Sequence, residues 1–299
     1  MVVSPVENQD GIAFVEGEYL PISEAKIPIL DWGFLRSDAN QDTISVWKGI
    51  FFRLEDHLDR FERNVVKLRM ICPYNRSQIR SIMRECVRRC GFSDAYIQII
   101  ATRGIPPSGV RDPRRCQNRF YAFCLPYVWI ATAEQQQNGL KLIVSSIQRI
   151  PATSVDPTLK HYHWLDFEMA LFEAYEQGGD TVVLVDQNAC VTEGPGFNLF
   201  MVNSGAVITP KNGVLDGITR QTLFELCSEL NVPYEQKAIP VSQLIEADEI
   251  FLSSTAGGLL PVTFVNEHTI GKGVPGPISQ RLRKQYWENR ESGWHGTPV

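Results

Sequence analysis

SVDPTLKHYHWLD, Ser154 to Asp166, sets one lysine, Lys160, between Pro157 and a run of aromatic residues at the start of a helical pattern. An amine in apolar, partly desolvated surroundings loses its proton more easily, and only the neutral amine attacks a carbonyl. Taken alone, the same pattern also describes a surface lysine at a helix start.

Moving outward, VTEGPGFNLF (Val191 to Phe200) holds Glu193 between an apolar strand and glycines. Glycines there let other groups approach the backbone closely, and a buried acid needs a partner. A protonated pyridine nitrogen is one suitable partner; a turn-forming glutamate in a hairpin is the plainer reading. LDGITRQTLFEL, Leu215 to Leu226, opens an amphipathic helix after Gly217, with Ile218 and Thr219 in the first turn. Free N–H groups and the helix dipole suit a phosphate there. A helix start with Gly217 making the turn explains the same residues. SSTAGGLLPV, Ser253 to Val262, reads as strand-end hydroxyls followed by a small-residue turn able to present N–H groups to an anion.

The flanking chain supplies the elements. GIAFVEGEYLPI (Gly11 to Ile22) and TISVWKGIFF (Thr43 to Phe52) alternate around Glu-Gly and Lys-Gly turns and predict hairpins. Helical spacing covers Leu54 to Leu68, with Leu58, Phe61, Val65 and Leu68 on one face, and Ser77 to Cys90, stopped by Gly91. Strands are expected at Ala95 to Thr102 and Arg119 to Leu125, with a Pro/Gly/Arg-rich mobile loop from Ile105 to Gln117. Further on, strands are expected at Leu140 to Ser146, Thr181 to Val185 and Glu249 to Ser253, and a turn-rich hairpin at Cys190 to Val202. Helices are expected at Trp164 to Glu176, Ile218 to Leu230 and about Pro277 to Glu288. The elements do not alternate strictly as βαβ, which argues for an α+β or barrel-like second half rather than a doubly wound sheet. PYVWIATAEQQQN shifts from apolar to Gln-rich, so the domains are expected at residues 1–126 and 139–299 with a linker at 127–138.

With 29 basic and 34 acidic side chains, the 299-residue chain carries a net charge of −5, against a nucleic-acid or anionic-membrane surface. No apolar run reaches membrane-span length, and the first residues, MVVSPVENQDGIAF, carry no signal-peptide pattern. Seven cysteines without a CxxC pair give no disulfide framework or thiolate zinc site and fit a reducing, cytoplasmic setting. His161 and His163 lack a third ligand, so no metal site is read. GxSxG, GxxxxGK[ST] and HExxH motifs are absent.

Together, and in this order, SVDPTLKHYHWLD, TEGPGFN, LDGITR and STAGGLLPV resemble the fold-type-IV pyridoxal-phosphate enzymes. That group comprises branched-chain and D-amino-acid aminotransferases, (R)-selective amine transaminases and aminodeoxychorismate lyases. The motifs look most like the (R)-amine transaminase branch, and the resemblance extends over GIAFVEGEYLP, FFRLEDHLDRF and ATRG. It implies an α+β, two-domain enzyme, with a smaller N-terminal α/β sandwich domain and a larger C-terminal pseudo-barrel α/β domain. It also implies pyridoxal 5′-phosphate (PLP) as cofactor, a small-molecule amine or amino acid with a keto acid as partners, and a homodimer.

By the same resemblance, Lys160 would hold PLP covalently and shuttle the proton between the substrate Cα and the cofactor C4′. Glu193 would keep the pyridine nitrogen protonated. Arg60, Ile218, Thr219 and Thr255 would bind phosphate, Leu215 would pack on the ring face, and Asn198 would brace the site. Arg60 could alternatively pair with Glu62 or Asp56. In the substrate pocket the branch pattern HSDLTYDV becomes Arg36-Ser-Asp-Ala-Asn-Gln41-Asp-Thr43, and Phe-x-Glu becomes Tyr96-Ile-Gln98. Losing a carboxylate and gaining a guanidinium favours a substrate with a second anionic or polar group. Equally, Arg36 could pair with Asp38 or Asp42. Arg111, or Arg114 or Arg115, would bind a carboxylate from the loop, Ser254 and Ala256 would offer a second carboxylate edge, and Trp164 would wall the pocket. The expected activity is a ping-pong aminotransferase of (R)-amine transaminase type with an altered pocket. A branched-chain or D-amino-acid aminotransferase, a PLP lyase and a non-catalytic partner protein are the alternatives.

Overall fold

The computed structural model describes residues 11–299, so the N-terminal stretch read above for a signal peptide lies mostly outside the described residues. They form two compact units. The first comprises residues 11–128, 160–162 and 293–299. Its strands β1 (Ile12–Val15) and β2 (Glu18–Pro21) make the expected hairpin, with Glu16 and Gly17 at φ 52° and 92°. Helix α1 (Trp32–Arg36), not anticipated from the sequence, is capped by the Asp31 carboxylate accepting from Gly33 N. Then come β3 (Ala39–Trp47), β4 (Ile50–Phe52), α2 (Leu54–Lys67), α3 (Arg76–Cys90), β5 (Ala95–Ile105) and β6 (Gln117–Pro126). Asn75 and Gln78 close a capping box on α3, and Gly91 ends it at φ 77°.

The sheet is antiparallel throughout, in the order C-terminal strand Gly296–Pro298, β4, β3, β5, β6, β1, β2. Ile44, Val46, Ile97, Ile99 and Phe120 from the sheet pack with Leu58, Phe61 and Val65 of α2 and Ile79 and Met83 of α3. Strand β3 is buried on both faces, yet it carries Asn40, Gln41, Asp42, Thr43 and Ser45. Such a run costs stability unless each group is bonded, so its presence in a central strand marks a site.

The second unit comprises residues 129–159 and 163–292. It holds α4 (Ala133–Asn138), β7 (Leu140–Gln148), α5 (Leu165–Glu176), β8 (Thr181–Val185), β9 (Glu193–Gly194), β10 (Phe197–Asn203), β11 (Ala206–Thr209) and α6 (Ile218–Glu229). After these come β12 (Tyr234–Gln236), α7 (Val241–Ile245), β13 (Glu249–Ser254), β14 (Gly258–Val265), β15 (His268–Thr269) and α8 (Pro277–Glu291). The mixed sheet runs β12, β11, β10, β13, β14, β7, β8, with β9 on β10 and β15 on β14. Residues 190–192 stitch its two edges. Val191 N donates to Ile239 O and Thr192 N to Leu184 O, beside bridges Val185–Val191 and Cys190–Pro240. This closure makes the second unit a pseudo-barrel.

Three sequence readings need adjusting. The Gln-rich stretch is not plain connection: a Thr132–Gln135 capping box starts helix α4 there. Residues 160–162 and 293–299 belong with the first unit, because Lys160 and His161 pair with β3 and the C-terminal strand pairs with β4. The small-residue turn falls at residues 255–257, and the apolar run after it, given no element in the sequence reading, is the eight-residue strand β14. Among the described residues no helix is long and apolar enough to cross a membrane.

Candidate active site

In the first unit, Lys160 is pinned through its backbone. Gln41 N donates to Lys160 O at 2.9 Å, and His161 bridges to Asn40. With its amide oriented to satisfy both ends, Asn64 accepts from Lys160 N at 3.0 Å and donates to Arg60 O at 3.3 Å. Asn64 is on α2, so helix and strand together fix the lysine's main chain.

Arg60 and His57 sit one turn apart on the buried side of α2 and converge on Asp42 of β3. Arg60 donates through Nε to Asp42 Oδ2 at 2.8 Å and through Nη2 to Oδ1 at 2.7 Å. His57 Nδ1 lies 2.7 Å from Oδ1, and Thr43 N donates to Oδ1 at 2.8 Å. Burial opposes ionisation of Asp42, but the Arg60 guanidinium and His57 outweigh it and hold the carboxyl well below the usual range. Burial likewise lowers His57, with Asp42 opposing and the charges of Arg60 and Lys160 reinforcing the shift. Of the alternative partners read for Arg60, Glu62 pairs with Arg76 and Asp56 with Arg53.

On the opposite face of β3 and β5, the expected pocket residues form one network. Thr43 Oγ1 donates to Gln41 Oε1 at 3.2 Å and lies 3.4 Å from Gln98 Oε1. Tyr96 Oη donates to Thr43 Oγ1 at 3.4 Å, and Gln98 Nε2 donates to Tyr162 Oη at 2.5 Å. Arg36 stands outside this network. It is exposed, with its guanidinium 3.4 Å from the Trp32 ring centroid. It pairs with neither Asp38 nor Asp42, because Arg103 takes the first and Arg60 the second. On the loop between β5 and β6, Arg111 is exposed and Arg114 is held by Asp112 at 2.7 Å.

In the second unit, Glu193 is buried on β9. Its Oε2 accepts from Leu215 N at 2.8 Å, while Oε1 lies 3.4 Å from Arg149 Nη2. Arg149 is committed more closely to Asp166, at 2.7 Å, and its guanidinium stacks over Phe167. Asn198, paired with Glu193 across β9 and β10, donates to Leu215 O at 3.0 Å. A Cβ on Gly217 would stand 2.0 Å from Asn198 Oδ1, so this turn into α6 requires glycine. Gly217 supplies no side-chain cap, and Ile218 and Thr219, both buried, open the helix behind it. Ser254 Oγ donates to Gly196 O at 2.9 Å and accepts from Ala256 N at 3.2 Å, while Thr255 stands in the turn between β13 and β14. Trp164 precedes α5 and packs edge-on against Phe167.

Asp42, His57, Asn64, Arg149, Asp166 and Tyr162 went unread in the sequence. Only the first two left a signal: a polar run in a strand, and a histidine and an arginine on a helix's apolar face.

Residues 41–265 match the family described as Amino-transferase class IV. The chain is 28% identical over 295 residues to a branched-chain-amino-acid aminotransferase of Pseudomonas aeruginosa, covering 94% of this chain and 93% of that one. It is 26% identical over 269 residues to a D-alanine aminotransferase of Bacillus licheniformis, covering 89% of this chain and 93% of that one. The branched-chain amino acid aminotransferase of Thermobaculum terrenum, solved in its PLP form, superposes with a TM-score of 0.84 at 27% identity. That likeness covers 98% of this chain and 99% of that one. The family match runs from β3 to the end of β14, taking in Lys160, Glu193 and the start of α6: the chain belongs to the amino-transferase class IV family and is an aminotransferase.

Proposed function

We propose that the amino donor carries a carboxylate, so that this aminotransferase works on an amino acid and a keto acid, although its motifs resemble those of (R)-amine transaminases. One observation carries the reading: the β3–β5 face beside the Lys160 segment is floored by Gln41, Thr43, Tyr96, Gln98 and Tyr162 joined by hydrogen bonds. Amides and hydroxyls suit a carboxylate and leave an arylalkyl amine without matching apolar surface.

The cofactor is pyridoxal 5′-phosphate, and the residues present fit it. A lysine amine answers its aldehyde and a buried carboxylate its ring nitrogen. Arg60 and an uncapped helix start behind an obligatory glycine answer its phosphate. When bound, PLP supplies the electron sink for the pair left behind as the substrate Cα loses its proton. Lys160 takes that proton on Nζ and returns it to the neighbouring carbon. Glu193 holds a proton on the ring nitrogen. By the family resemblance, Arg60, held by Asp42, would bind phosphate, as would the N–H groups of Ile218 and Thr219 and the hydroxyls of Thr219 and Thr255. Asn198 and Leu215 keep Glu193 in place, and Leu215 would pack on the ring. Ser254 and Ala256 offer the carboxylate edge, Trp164 walls the pocket, and Arg36 and Arg111 supply positive charge from exposed positions. The active form is a homodimer; Leu165, Met169, Phe172 and Tyr175, exposed along one stripe of α5, support a covered surface.

The test is a visible spectrum of the PLP-loaded protein titrated separately with L-leucine, D-alanine and (R)-1-phenylethylamine. Conversion to the pyridoxamine form at lower concentrations of an amino acid than of the amine is expected, with Lys160→Ala unable to turn over. Preference for (R)-1-phenylethylamine would overturn the donor assignment.

A further inference from the structure

Resting on that reading, we infer that Tyr162 is the specificity residue that recognises the donor's carboxylate, its hydroxyl aimed outward by Gln98. A direction of hydrogen bonding carries the argument. Thr43 and Gln98 are cross-strand partners, so their side chains share the face with Gln41 and Tyr96. Tyr96 donates to Thr43, and the single hydroxyl proton of Thr43 is shared between Gln41 Oε1 and Gln98 Oε1. Gln98 then donates its amide N–H to the Tyr162 oxygen at 2.5 Å. Thr43 and Gln98 each accept from one neighbour and donate to the next, an arrangement in which the bonds polarise one another.

The chain of donors ends at Tyr162. Its oxygen is engaged as an acceptor, and among the described residues no acceptor takes its proton. Burial pushes the phenol far above its ordinary value, with Gln98 opposing only in part, so the proton stays on the oxygen. Tyr162 is half-buried rather than sealed in. It and Lys160 flank the bridging residue His161, which places the phenol two residues along the chain from the lysine. A polarised O–H donor two residues from the catalytic lysine is matched by a carboxylate oxygen on the substrate.

The identity of residue 98 sets the aim. Glutamine can turn an N–H on the phenol oxygen and release the phenol proton outward. A glutamate there would accept that proton and turn the donor inward. Tyr162→Phe removes the donor, and Gln98→Glu redirects it.

The experiment measures single-turnover half-reactions of the PLP-loaded wild type, Tyr162→Phe and Gln98→Glu with L-leucine, L-glutamate and (R)-1-phenylethylamine. Expected is a fall of about 10- to 100-fold in the preference for amino acid over amine in both variants, seen in half-saturation rather than in maximal rate, the range of a hydrogen bond to a charged group. Loss with both amino acids assigns Tyr162 to the α-carboxylate; loss with L-glutamate alone assigns it to the distal one. Unchanged preference, or an equal fall in maximal rate with all three donors, overturns the inference. A wild type that converts no donor overturns the transaminase reading itself.

Discussion

Each unit buries an arginine against carboxylates, and the two clusters are built as opposites. In the first, Asp42 is spent entirely on its neighbours, and Arg60 is the group being held. In the second, Glu193 is the group being held: a main-chain N–H fixes one oxygen, and Arg149, whose closer partner is Asp166, stands 3.4 Å from the other. A tight pair fixes position at the cost of desolvating both charges, whereas a looser neighbour supplies field without consuming the carboxylate. Arg60 therefore has its geometry set by a tight ion pair, while Glu193 is positioned by a main-chain N–H and a more distant guanidinium beside the ring it is proposed to serve.

Breaking the tight cluster should have the largest effect. Asp42→Ala removes the carboxylate that accepts two hydrogen bonds from Arg60, which is 3% exposed. Removing one partner of a buried pair costs about 3–5 kcal/mol, so the urea midpoint of the variant should drop sharply and PLP affinity with it. An unchanged midpoint would mean that Arg60 is not held by Asp42. The second cluster should respond in function before stability. Glu193→Gln keeps an acceptor for Leu215 N and leaves the Arg149–Asp166 pair intact, but removes the charge. Single-turnover transamination should slow on the order of 10²-fold, the size of one preorganised electrostatic contact. Its urea midpoint should move less than that of Asp42→Ala. Equal losses of stability in the two variants would erase the distinction between the clusters.

The sequence makes one half of each cluster readable. Glu193 lies in a short motif whose residue types suit a pyridine, Arg60 is read through the family resemblance of FFRLEDHLDRF, and the hairpins and long helices follow from period-2 and helical patterns. The holders, Asp42 and Arg149, lie 18 and 44 residues from the groups they hold, so only the folded sheet brings them close. Local pattern also misplaced charges that have several possible partners. The two aspartates read as partners for Arg36, Asp38 and Asp42, are both taken by arginines from elsewhere, and it stacks on Trp32 instead. Strand β14 hid behind its glycines: Gly257 and Gly258 read as a turn, although the eight residues Gly258–Val265 pair with both β13 and β7. Tyr162 left no signal at all, because its role follows from which atom of Gln98 faces it.

His57 should give the smallest effect and the finest test of the tight cluster. Asp42 keeps two bonds to Arg60 and one to Thr43 N when His57 is removed, so His57→Gln should cost only about 0.5–1.5 kcal/mol near neutral pH. The distinguishing readout is the pH dependence of stability. Burial lowers the folded-state pKa of His57, so as pH falls through about 6.5 the unfolded chain takes up a proton that the folded chain refuses. The stability contributed is fully present above that value and is lost on the acid side. Asp42, also depressed when folded, works in the same direction, but its loss begins only when the pH falls into the ordinary carboxylate range near about 4. The urea midpoint of the wild type should therefore fall between about pH 7.5 and about pH 5.5, and that of His57→Gln should fall less, while both drop together below about pH 4. If the variant keeps the full slope above about pH 5.5, the titrating group lies elsewhere, and His57 serves Asp42 only as one donor among several.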